Sequence, residues 1–176
     1  SQPPHYQVPD FDADPDPHRL VLAQDNLSGS RFSSLEFSSF AHVSLSGTLP
    51  RGVARIRYYV SQNRNGRFNL HRSDRLAWDD SQMETGATPC KDPVLAANIT
   101  RFDITCIGTS DQEKSLSDRE AAAQWDSDSD ETDYQFPRTL LITLALAGTD
   151  ESKSPRKIEA AIPVPVQRET GAGNDQ

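Results

Sequence analysis

The sequence predicts an α+β chain that is mostly antiparallel β, and three observations predict it. Several short segments alternate apolar and polar residues with period two, the signature of half-buried strands. Two of these runs flank Asn65-Gly66, a pair that tolerates the positive φ values tight hairpins need. One stretch, "SDREAAAQW" (117–125), reads as a short helix, because Ser117 and Glu120 stand at capping-box spacing ahead of an alanine run.

Taken in order, "HRLVLAQ" (18–24) is the first strand, and "SLEFSSF" (34–40) puts Leu35 and Phe37 on one face. In "VARIRYYV" (53–60), Ala54, Ile56, Tyr58 and Val60 share one face while Arg55, Arg57 and Tyr59 take the other. After "NRNG", which is long enough to make a wider loop, "RFNLHR" (67–72) turns Phe68 and Leu70 inward. In "PVLAANITRFDITCI" (93–107) the inward parity slips between Ile99 and Phe102, a slip that a bulge or a bend would absorb. "TLLITLALAG" (139–148) is apolar on both faces, as a central strand would be. "KIEAAIPVPV" (157–166) aligns Ile158, Ala160, Ile162, Val164 and Val166. Its Pro163 and Pro165 remove donors on one side, which predicts an edge strand there or a chain that has left the sheet by then.

The ends read differently. The first seventeen residues hold five prolines and four aspartates and form an expected linker, 1–17. Residues 18–168 form one expected β-rich domain, and 169–176 an expected tail. At 176 residues one domain of this size can bury a single sizeable core. A mean hydropathy of −0.67 leaves a good share of the chain as loop.

The net charge of −8 and isoelectric point near 4.9 argue against nucleic acid or an anionic membrane surface as the main partner. The charge is segregated. Between Arg51 and Arg75 stand seven arginines against the single Asp74, a segment of net +6 in a chain of net −8, so the remainder carries −14. Arg55 and Arg57, on the outward face of one strand, are the candidate partner-facing basic residues. The alternative is that they pair across strands with the chain's own carboxylates.

No catalytic constellation is legible. The histidines His5, His18, His42 and His71 are scattered, no phosphate-cradling glycine loop or nucleophile motif occurs, and no carboxylate pair sits in an apolar setting. The expectation is a protein that is not an enzyme and that needs no cofactor. Asp126, Asp128 and Asp130 alternate like the start of a calcium loop. The positions that an EF-hand fills with glycine and a bidentate glutamate hold Glu131 and Pro137, so a solvated acidic loop is the expectation and a calcium site of another kind the alternative. Cys90 and Cys106 fit one disulfide in an oxidising compartment, with two unlinked thiols as the alternative. Trp78 and Trp125 read as packing residues rather than a sugar platform.

The order of segments resembles a known family. "LEFSSF", "VARIRYYV", "RFNLHRSDRLAW", "DPVLAANITRFDIT", a hydrophilic excursion with a tryptophan, "FPRTLLITLALAG" and "KIEAAIPVPV" look like the soluble part of the minor pseudopilin J family of type II secretion systems. The W-type minor pilins of type IV pili are related. The likeness spans residues 30 to 166, carried by the order and spacing of the motifs. It implies a pilin-like α+β fold whose long amino-terminal helix, half in the inner membrane before assembly, would precede the linker. It further implies a periplasmic structural subunit at the tip of a pseudopilus, in contact with other minor pseudopilins and with cargo or the outer-membrane pore. The excursion 109–135 has no counterpart in the family pattern. A secreted β-sandwich module that binds calcium or carbohydrate is the reading from a different class.

Overall fold

Apolar–polar alternation becomes backbone ladders in the computed structural model, which describes residues 5–6, 16, 18–39, 53–76, 92–108, 121–148 and 155–168. The strands are β1 (His5–Tyr6), β2 (Val21–Leu27), β3 (Ser30–Ser39), β4 (Ala54–Gln62), β5 (Phe68–Leu76), β6 (Val94–Ile107), β7 (Ala121–Ala122), β8 (Trp125–Asp126), β9 (Thr139–Leu146), β10 (Arg156–Pro163) and β11 (Gln167–Arg168). Nine of them form one antiparallel sheet in the order β10-β9-β6-β5-β4-β3-β2-β8, with β7 pairing β6 beside that path. β1 and β11 form a separate two-residue parallel pair.

The expected α+β, pilin-like class is overturned. Among the described residues no α-helix occurs, and the one helical element is a single 3-10 turn, Asp130–Thr132. The helix expected at 117–125 fails at its described residues. Ala121 and Ala122 pair with Ile107 and Cys106, and Trp125 and Asp126 pair with Leu22 and Val21. The capping-box spacing is a local signal worth about 1 kcal/mol, and an alanine run too short to nucleate alone is captured by two strand edges that need partners.

The hairpin forms as expected, with a wider loop. β4 and β5 stay in register from Ala54↔Leu76 to Gln62↔Phe68. Asn63 N–H donates to Arg67 O at 2.8 Å, and the Asn63 side-chain oxygen accepts from Asn65 N–H and Arg67 N–H at 2.9 and 3.0 Å. Gly66 takes φ +74, where a side chain would be strained.

The parity slip in β6 is also real. The β6–β9 register jumps between Ile99 and Arg101, and Asn98 adopts φ 56 just before it. As a result Ile99 and then Phe102, Ile104 and Cys106 all face the core. Beyond Ile99 the edge of β6 that had paired with β5 no longer has β5 beside it, and the sheet curls until β3 reaches it. There the Ile104 N–H donates to Ser33 Oγ at 2.9 Å, both groups buried. The consequence is visible in β3, where Phe32, Ser33, Ser34 and Leu35 are all buried. Their neighbours complete the core: Leu20, Leu22, Val60, Leu70, Phe136 and Leu140. The Phe32 and Phe68 rings meet at 4.7 Å between centroids.

Two expectations about the last strands resolve in opposite ways. β10 is an edge strand, as Pro163 and Pro165 required. β9 lies next to that edge rather than centrally, and Leu141 stands 40 % exposed, so it is not buried on both faces. Cys106 is a fully buried, free thiol, and burial pushes its pKa up to about 12. Cys90 lies outside the described residues.

Two outcomes follow. Ser33→Ala strands the Ile104 N–H in the core and should lower stability by about 1–3 kcal/mol, read from urea unfolding. For Cys106, both states hold the thiol proton below the ordinary value near 9. As pH rises from there toward 12 only the unfolded state releases it, so stability falls across that window by roughly 1 kcal/mol per pH unit. In a Cys90→Ser background the urea midpoint should drop more between pH 8 and 10 than in the same background carrying Cys106→Ala. Equal drops would contradict a protonated, buried thiol.

Candidate functional site

Alternation on β4 sends Arg55, Arg57, Tyr59 and Ser61 to the face opposite the core, and hairpin register sets Arg75, Ser73, His71 and Asn69 opposite them. Glu36 of β3 faces Arg57 across the next ladder. The result is an outer strip, which the structure assembles around three arginines and two aromatic rings.

Its geometry is specific. The Arg57 guanidinium carbon lies 5.3 Å from the Tyr59 ring centroid. The His71 ring stacks on Tyr59 at 5.3 Å between centroids and 16°. The Tyr59 hydroxyl donates to Asp92 Oδ2 at 2.7 Å. Desolvation first, then that hydrogen bond, raises the Tyr59 pKa, and the nearby Arg57 and Arg75 pull against the rise. His71 Nε2 lies 2.9 Å from Ser61 Oγ, and its Nδ1 lies 3.2 Å from the Asp92 carbonyl. A carbonyl can only accept, so Nδ1 carries the proton and Nε2 accepts from the serine hydroxyl. Hydroxyl, imidazole and carbonyl thus stand in the order of a nucleophile, its base and an orienting group. They lie on an open sheet face, however, and neither side chain lines the groove described below. Their effect is to lock the ring that Tyr59 stacks on.

Arg51 lies outside the described residues and Arg64 stands in the hairpin turn; the other five arginines of the +6 segment fall into two sets. Arg55 Nε meets Glu36 Oε1 at 3.4 Å, Arg72 Nη2 donates to Asp74 Oδ2 at 2.9 Å on the core-facing side, and Arg67 Nη1 donates to Asn98 Oδ1 at 3.3 Å. Internal pairing therefore accounts for these. Among the described residues, Arg57 and Arg75 have no carboxylate at ion-pair distance.

Asp126, Asp128 and Asp130 do something other than converge on a cation. Asp126 takes Arg19 in a two-point pair, Nε to Oδ1 at 2.7 Å and Nη2 to Oδ2, and this contact raises the Arg19 pKa. Asp126 Oδ1 also accepts from Asp128 N–H at 3.0 Å, and Asp128 Oδ2 accepts from Asp16 N–H at 3.3 Å. Asp130 Oδ1 accepts from the Tyr134 hydroxyl. Leu20 and the fully buried Ser127 exchange two bonds, Leu20 N–H to Ser127 Oγ at 2.8 Å and Ser127 N–H to Leu20 O at 2.9 Å. The acidic loop is a clasp on the start of β2. Among the described residues no group of three or more His, Cys, Asp or Glu is placed to hold a metal ion. Trp125 is half-buried, its Nε1–H donating to Gln135 O at 2.9 Å, and Trp78 lies outside the described residues.

An open groove of about 850 Å³ runs along the β6–β9–β10 side, lined by Arg31, Arg101, Asp103, Thr143 and Glu159 among others. Arg101 Nε donates to Asp103, so part of its charge is already neutralised.

Sequence reasoning singled out Arg55 and Arg57 but missed Tyr59, His71, Arg75 and Asp92. The first three were within reach: with the loop length known, pairing along the hairpin sets His71 opposite Tyr59 and Arg75 opposite Arg55. Asp92 carried no signal, since it reaches Tyr59 from the far side of residues 77–91. No known protein family, curated protein or solved structure matches this chain.

Proposed function

We propose that this chain is a structural subunit that works by binding other proteins, in the role its resemblance to the minor pseudopilin J family implies. In that reading it sits in the periplasm with other minor pseudopilins at the tip of a type II secretion pseudopilus, and assists assembly and secretion. The pilin-like helix-and-sheet body is no part of the proposal. Its support is the order of the strand motifs, together with one structural observation.

That observation is the edge strand. β10 is the terminal strand of the sheet, and Ile158 and Ile162 on it stand 54 % and 45 % exposed. They are register partners of Leu144 and Leu140, so they continue the core-facing side of β9 past the end of the core. Burying such a side chain fully contributes about 1.5–3 kcal/mol. An edge strand that keeps apolar residues and guards only one end with Pro163 is a surface suited to a protein partner.

Deletion of the gene in its host should reduce protein secretion, and the wild-type chain should restore it while co-purifying with other minor pseudopilins. The I158D/I162D variant should fold with a loss of no more than about 1 kcal/mol, because both side chains are already half in solvent, yet fail to restore secretion. Loss of surface fibres with secretion intact would assign the chain to a type IV pilus instead. Full activity of I158D/I162D would remove the edge from the contact.

A further inference from the structure

We propose that the outer strip of β3, β4 and β5 is a docking site for an extended, acidic stretch of a partner polypeptide. The proposal deepens the reading of this chain as a protein-binding subunit and rests on it.

Arg55 and Arg75 are direct register partners. Side chains opposed in this way sit about 5 Å apart at Cβ, and like charges there are destabilising. Arg57 follows Arg55 two residues along the same strand, adding a third guanidinium to the same face. Glu36, the carboxylate that β3 contributes here, makes its ion pair with Arg55. Asp92, at the other end, is engaged by the Tyr59 hydroxyl. The strip thus presents Arg57 and Arg75 without an ion-pair partner among the described residues, in a chain of net charge −8. An arrangement that costs folding energy internally gains from an external anion.

Geometry selects the kind of anion. Arg57 and Arg75 are diagonal neighbours across the β4–β5 ladder, about 7–8 Å apart, close to the ~6.7 Å repeat at which an extended peptide presents alternate side chains on one side. Guanidinium forks pair with carboxylates in two-point contacts. The Tyr59–His71 stack beside Arg57 adds a flat, rigid wall, with its outer ring held by Asp92 and Ser61, so the strip is ordered before a partner arrives. A nucleic acid would carry its charge past the whole chain, whose surplus is negative, and so is disfavoured.

The test uses the full chain, a fluorescent glutamate-rich decapeptide, a lysine-rich peptide and a single-stranded oligonucleotide. The glutamate peptide should bind, should weaken with added salt, and should lose at least about tenfold in affinity in R57E/R75E. R64E, at the hairpin tip off the strip, should bind like wild type, and circular dichroism should show all variants folded. R57Q/R75Q, which removes charge without reversing it, should fall between. Equal binding by wild type and R57E/R75E, or no binding by wild type at millimolar peptide, overturns the proposal. Tighter binding of the oligonucleotide than of the peptide overturns it in favour of nucleic acid. Failure of the strip with intact secretion and co-purification leaves the subunit reading standing. Peptide binding lost in R57E/R75E, in a chain that associates with no pseudopilin, leaves the strip and removes the subunit role.

Discussion

β6 has to satisfy neighbours on both edges over fourteen residues, and one of those neighbours runs out halfway. Its first half is paired with β5 and its second half with β9. Where β5 ends, a backbone donor would be left buried without a partner, a loss of about 1–3 kcal/mol. Ser33 Oγ fills that gap by accepting from Ile104 N–H, and for it to do so β3 must come across to β6. The curl of the sheet, the burial of Phe32 through Leu35 and the enclosed core are consequences of this one requirement. Serines at 33 and 34 are the residues that permit it, since two strands that approach closely leave room for a hydroxymethyl group and little more.

The same requirement explains the fate of the alanine run. The edge of β6 is open again at Cys106 and Ile107, and small side chains at 121 and 122 let a short strand lie against it. Four residues later the chain pairs with β2, so the segment bridges β6 to β2 across the curl of the sheet. Arg19 with Asp126 and Leu20 with Ser127 then fasten it. Gly108 completes the fit, because a Cβ there would meet the Trp125 ring at 3.3 Å. Local helix propensity offers less than these contacts, and tertiary pairing decides.

This divides what the sequence disclosed from what it withheld. Alternation located β3, β4, β5, β6, β9 and β10, and in β4 and β5 it named the inward residues, because period two is a local property that burial on one face enforces; in β9 it overstated burial, and β10 is exposed along its length. The slip between Ile99 and Phe102 and the double proline at 163 and 165 were legible for the same reason, each being a local breach of the ladder. The bridging of β6 to β2 was not, since it depends on contacts between residues more than a hundred positions apart, such as Arg19 with Asp126. The roles of aspartates 126, 128 and 130 were hidden in a similar way. Their spacing resembles a cation loop, but the donors that occupy them come from Arg19, Asp16 and Tyr134.

Segregated charge in an acidic chain acquires a sharper meaning from the sheet order. β10 and β4 are separated by β9, β6 and β5, so the apolar edge and the arginine strip lie on different strands and differ in chemistry. One is the edge strand β10 with two exposed isoleucines, and the other is a sheet face with arginines. A symmetric pair of subunits would need one self-complementary surface, whereas two unlike surfaces suit contacts with two different neighbours, which need not close into a ring. Alternation on β4 supplies both requirements at once. Ala54, Ile56 and Val60 hold the hairpin into the core, and the residues between them are thereby aimed outward on a rigid support. The rigidity that folding demands of the inward face is what orders the outward one for binding.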